Sequence, residues 1–140
     1  MKNFLKSLPG TLLAILLIYA AASKLFQYDT FRIQLHKQPL PSGLADILVL
    51  AIPALELCCA GLLLSRRLRA WGLFLSLGLL GIFTGYIALV LLHWWSRTPC
   101  SCGGILSHLS WTMHLAFNYA FILLNLIAIY IHFEERRAVT

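Results

Sequence analysis

Apolar residues fall along this chain in four long runs, separated by short breaks of mixed or polar character. The runs cover roughly residues 8–26, 44–64, 70–93 and 112–133. Each approaches or exceeds the roughly 20 apolar residues that a helix needs to cross a bilayer. The pattern predicts an all-α integral membrane protein, a four-helix bundle forming one domain over residues 1–140. No internal repeat or low-complexity segment interrupts it. The break at 27–43 has structure of its own. Asp29 is placed to cap a short helix, Phe31 and Leu35 share one side of it, and Pro39 and Pro41 end it. We expect a short interfacial helix there, covering the bundle or acting as a lid. In the third run Gly78, Gly81 and Gly85 share a face, which reads as close helix packing.

Composition narrows the class. Hydrophobic residues make up 60% of the chain and charged residues 11%, against about 25% charged in an ordinary soluble domain. So few charges cannot surface a soluble enzyme, and so much apolar content excludes a disordered chain. The net charge of +6 is spread in short groups. It reports topology and lipid contact, and no nucleic-acid partner is expected. Lys2, Lys6, Arg66, Arg67, Arg69, Arg136 and Arg137 would lie on one side, and Lys24, Arg32, Lys37 and Arg97 on the other. Seven against four puts both termini and the 65–69 turn in the cytoplasm. The break at 94–111 is then external, with Trp94, Trp95 and Trp111 at the interface. A cleavable signal peptide ending near Ala20-Ala21-Ala22 is the alternative reading of the first run. The charge pattern favours four retained spans in a bacterial inner membrane.

Three groups of residues could carry chemistry. Glu56 lies about 18 Å along its span from Leu44, near the bilayer centre, where a carboxylate is costly and a functional site is the default reading. The plainer reading is one hydrogen bond between helices. Lys24, about a turn from the outer end of its own span, is expected to snorkel outward and leave Glu56 alone. His114, Asn118, Asn125 and His132 fall within about 40° of one another on the fourth helix. That stripe must face the bundle interior, either as packing hydrogen bonds or as the lining of a cavity. Matching depth puts Glu56 near Asn118 or Asn125.

The third group is Cys100-Ser-Cys102-Gly103-Gly104 after Pro99. Cysteines two apart in a glycine-containing loop can close a small, strained disulfide. Strained, exposed disulfides tend to be redox-active. A static disulfide is the plain alternative. A second alternative is a zinc or copper site built from Cys100, Cys102, His108 and His114. Cys58 and Cys59, deep in the second span, read as packing residues.

These residues together resemble a known group. The chain from about 11 to 132 is similar to the MauE/DoxX-like family of small four-helix membrane proteins, linked to redox processes and methylamine utilisation. The resemblance rests on Ser23-Lys24-Leu25 with Phe31 and Leu35, on Pro53-Ala-Leu-Glu56-Leu, and on Phe83-Thr-Gly-Tyr86. Its most specific part is Pro99-Cys-Ser-Cys-Gly-Gly104 with Ser110-Trp111, His114 and Asn118. It implies a four-helix bundle serving thiol–disulfide chemistry outside the cytoplasm, in MauE itself the maturation of a disulfide-rich enzyme subunit. The four-helix disulfide-forming quinone reductases also look similar, but they use a C-x-x-C and a second external pair that this chain lacks.

The expected function is a membrane accessory in extracytoplasmic thiol redox or maturation of secreted proteins. Cys100 and Cys102 would react, His114 and Glu56 would assist, and Asn118, Asn125 and Tyr86 would line a cofactor site. A quinone is the cofactor to consider, and a protein outside the cytoplasm the expected partner. The alternative is a non-enzymatic scaffold or assembly subunit holding a partner through its helices and outer loops.

Overall fold

The computed structural model describes residues 2–94 and 110–139. Among them are five helices: α1 (Lys2–Phe26), α2 (Tyr28–His36), α3 (Ser42–Leu64), α4 (Arg69–Leu91) and α5 (Trp111–Val139). All but α2 are long and apolar enough to cross a membrane. With no water in the hydrocarbon to satisfy backbone groups, a helix is the form such runs must take. The protein is a multi-pass membrane protein. Its long helices form a closed ring in which α1 and α4 each touch both α3 and α5, while α2 packs on α3.

The ring is built from stripes at helical spacing. On α3 the buried positions are Ala45, Val49, Pro53, Glu56, Cys59, Ala60 and Leu63. The opposite face carries Ile47, Leu50, Leu55 and Leu57, all exposed and all apolar. Such a surface suits lipid. Toward the end where α1 begins and α5 finishes, Leu13, Ala14 and Leu17 of α1 meet Ala60 and Leu63 of α3, Leu73 and Leu80 of α4, and Ala128 of α5.

The α3–α4 connection is tight. Arg69 Nε donates to the Leu63 carbonyl at 3.3 Å, satisfying one of the acceptors that the end of α3 leaves open. Gly72 makes this closeness feasible, because a Cβ there would lie 2.7 Å from Leu63 N. At its other end α4 stops at His93, in the left-handed region with φ 53°. The N–H groups of His93 and Trp94 bond back to the carbonyls of Val90 and Leu89. This is the double bond pattern of a Schellman stop, with histidine where glycine is usual.

Three expectations change. Among the described residues, Gly78, Gly81 and Gly85 pack against no other helix: all three are exposed, and a Cβ at any of them would meet nothing within 4 Å. The close-approach glycine is Gly72. Asp29 is not the cap of α2, which begins at Tyr28; it lies in the first turn, where a negative charge complements the helix dipole. Finally, α2 does not simply lie across the bundle's end. Phe31 and Leu35 are buried against Ala45 and Val49, so α2 runs beside the first two turns of α3.

Candidate functional site

That placement of α2 sets the level of α1. Because α2 accompanies the start of α3, the last turn of α1 lies below the first turn of α3 and beside its interior. Lys24 therefore does not snorkel outward. Its side chain folds back along α1, as helical side chains lean toward the N-terminus, and Nζ donates to the Ala20 carbonyl at 3.2 Å. The same Nζ donates to Glu56 Oε1 at 2.8 Å. Glu56 is 1% exposed and the Lys24 side chain 13%. The ammonium also lies 6.0 Å from the centre of the Phe31 ring, within cation–π range. Sequence reasoning missed this partner. The signal that could have found it is Phe31 and Leu35 on one face of α2, which already required that helix to be buried.

The pair borders a cavity of about 150 Å³ between α1, α3, α4 and α5. Its walls are mainly apolar, with Leu17, Leu80, Phe83 and Phe117 among them, and its polar lining includes Lys24, Glu56, Tyr86, His114 and Asn118. Among the described residues, two buried polar atoms of this lining have no hydrogen-bond partner, Glu56 Oε2 and His114 Nδ1. Buried polar atoms left open in this way are satisfied by water, an ion or a ligand, or serve a catalytic role. Tyr86 OH donates to Gln38 Oε1, tying α4 to the α2–α3 connection.

The polar stripe of α5 faces inward as expected, with Asn118 and Asn125 buried and His114 and His132 partly so. It does not act as one site. His114 and Asn118 line the cavity, whereas Asn125 is fully buried below it and bonds to α4. We orient its amide so that the oxygen accepts from Ser76 Oγ at 2.8 Å and the nitrogen donates to the Leu73 carbonyl at 3.2 Å, since this satisfies both ends. Asn125 is thus a packing residue, and Glu56 bonds to Lys24 instead of to Asn118 or Asn125. Asn125→Ala should lower stability in detergent by about 1 kcal/mol. A double-mutant cycle with Ser76→Ala should return a coupling of roughly 0.6–1.7 kcal/mol; additive effects would show that the two side chains do not work together.

Cys100, Cys102 and His108 lie outside the described residues. Among the described residues, no three metal-ligating side chains gather. Cys58 and Cys59 are free thiols, the first exposed on the outer face and the second in the core.

The cavity lies where α4 ends and α5 begins, the two ends that bound the segment holding Pro99-Cys-Ser-Cys-Gly-Gly104. A family model described as methylamine utilisation protein MauE matches residues 2–131. The chain belongs to the MauE family. The match takes in the first three spans, the fourth as far as Ile131, the Lys24–Glu56 pair and the cysteine segment. No curated protein and no solved structure matches the chain.

Proposed function

We propose that this MauE-family protein serves thiol–disulfide exchange outside the cytoplasm, acting on a secreted or membrane-tethered protein that must acquire disulfides. The observation that carries the reading is the mainly apolar cavity at the α4–α5 end, with its few convergent polar groups. It joins a buried Lys24–Glu56 pair to His114 and Asn118, at the end to which Cys100 and Cys102 are tethered. The seven-to-four distribution of basic residues supports placing that end outside and the termini in the cytoplasm.

In the proposed step a thiolate of the partner attacks one sulfur of a Cys100–Cys102 disulfide. A mixed disulfide forms and the other cysteine leaves as a thiolate. The partner's second thiol then releases its own disulfide, and Cys100 and Cys102 end as a dithiol. Two electrons and two protons pass from partner to pair. Through Nδ1, which has no hydrogen-bond partner among the described residues, His114 would take and return a proton. The family's link to methylamine utilisation is consistent with one dedicated partner.

A second reading, an assembly subunit without its own chemistry, draws support from the open face of Gly78, Gly81 and Gly85. Small residues on a lipid-facing helix allow another helix to approach closely. Trapping separates the two. Cells carrying Cys100→Ser or Cys102→Ser would be quenched with acid, labelled with a membrane-impermeant thiol reagent and resolved without reductant. Both variants should insert but lose pathway function, and one should accumulate a mixed disulfide with a partner. Full function in both variants, or cysteines that resist external reagent after reduction, would defeat the redox reading.

A further inference from the structure

A second groove lies at the opposite end, on the outer surface between α4 and α5. It has a volume of about 420 Å³ and is lined by Arg67, Trp71, Phe74, His132, Phe133 and Arg136, with Ala70. We propose that this groove binds one acidic phospholipid, with its phosphodiester between Arg67 and Arg136 and an acyl chain along Trp71, Phe74 and Phe133.

The polarity of the groove runs in the order of a lipid. Arg67 precedes α4 and Arg136 belongs to the last turn of α5, so both stand where the helices leave the hydrocarbon. Trp71 and Phe74 follow Arg67 by about one and two turns along α4, and Phe133 lies about one turn before Arg136. Phe74 and Phe133 approach at 6.3 Å between ring centres, closing the floor. Trp71 is 68% exposed, as an aromatic anchor at the interface should be. Guanidinium groups match phosphate geometry with paired N–H donors. His132 lines the same groove, and its buried Nε2 has no hydrogen-bond partner among the described residues.

Charge selects the headgroup. Five arginines (Arg66, Arg67, Arg69, Arg136 and Arg137) gather at this end against Glu134 and Glu135. Glu134 is 3.6 Å from Arg137, and Glu135 lines a small recess on the inner side with Ser7 and Arg69. Neither glutamate is part of the groove lining. A headgroup with a net negative charge and no ammonium is favoured over a zwitterionic one. Two arginines at the surface would enrich it on the order of tenfold.

Bromine quenching of tryptophan tests the site on the full chain. The protein would be placed in phosphatidylcholine vesicles containing about one phosphatidylglycerol in ten, with bromine on the chains of one lipid or the other. Per mole of brominated lipid, phosphatidylglycerol should quench several-fold more strongly. Trp71→Phe should remove the difference. Arg67→Gln/Arg136→Gln should remove it with helical circular dichroism unchanged, and Arg67→Lys/Arg136→Lys should retain much of it, so that a folding defect in the first variant still leaves a test. Equal quenching by both lipids in the parent would overturn the proposal. So would a difference that survives the glutamine substitutions or one abolished by soluble glycerol phosphate, the latter marking a site for a water-soluble anion. Failure of either brominated lipid to quench Trp71 would mean that a second copy of the chain covers the face.

Discussion

Replacing Lys24 by Met, or Glu56 by Leu, should each destabilise the protein by about 3–5 kcal/mol, while both replacements together should recover most of the loss. The reason is the position of the pair. Glu56 is 1% exposed, and Lys24 Nζ lies 2.8 Å away. Either single change leaves one charge without its counterpart in a medium that cannot solvate it. The double change removes both charges and fills the space with side chains of similar volume. Denaturant or thermal unfolding in detergent would measure all four corners of the cycle. A double variant as unstable as the singles would show that packing, and not charge compensation, dominates at this point. The double variant also isolates function: if it folds and inserts yet fails in its pathway, the pair serves the cavity's chemistry as well as its stability.

Gly72→Ala should be costly, and Gly72→Leu should prevent native packing of the α3–α4 hairpin. A Cβ at position 72 would lie 2.7 Å from Leu63 N, 2.9 Å from Leu62 C and 3.0 Å from Leu62 Cβ. The first two are backbone atoms, so relief requires α4 to move off α3. Overpacking of this kind costs typically about 1–3 kcal/mol and more where backbone must move. Alanine at Gly78 or Gly81 supplies the internal control. Nothing lies within 4 Å of either Cβ, and replacing an exposed helical glycine should gain about 0.5–1 kcal/mol. Opposite signs at 72 and 78, read in one unfolding assay, check the packing directly.

The number and extent of the spans were legible in hydropathy because lipid demands an almost unbroken apolar run. Which face of each helix turns inward was legible only where a polar residue broke the run. Asn118 and Asn125 gave away the inner face of α5, and Glu56 that of α3. On α4 the stripe of Gly78, Gly81 and Gly85 pointed the wrong way. In a bilayer, small residues on a helix do not say whether their neighbour is the same chain, another protein or lipid. The inner face of α4 is marked instead by Ser76, whose hydroxyl donates to Asn125, and Thr84, whose hydroxyl donates to the Leu80 carbonyl of its own helix, so that both cost little to bury. The Lys24–Glu56 pair was hidden because depth was counted from the end of each hydrophobic run. The nine residues of α2, packed along α3, shift α1 against that count. Residues about ten places apart in apparent depth can meet once such an offset is known, and only the burial of Phe31 and Leu35 carries it.

The same pair bears on how the chain enters the membrane during synthesis. An ionised side chain near the middle of a spanning helix costs roughly 2.5–3.5 kcal/mol on insertion scales, and α3 must carry Glu56 past that barrier. By then α1 has already been made, with Lys24 ahead of the nine-residue α2. If α1 remains beside the translocation channel until α3 emerges, the two charges enter the lipid as a neutral unit. The segment containing α2 then works as a short tether that keeps them close. Membrane integration of this protein would proceed by helical hairpins, with the first partition step belonging to α1 and α3 jointly.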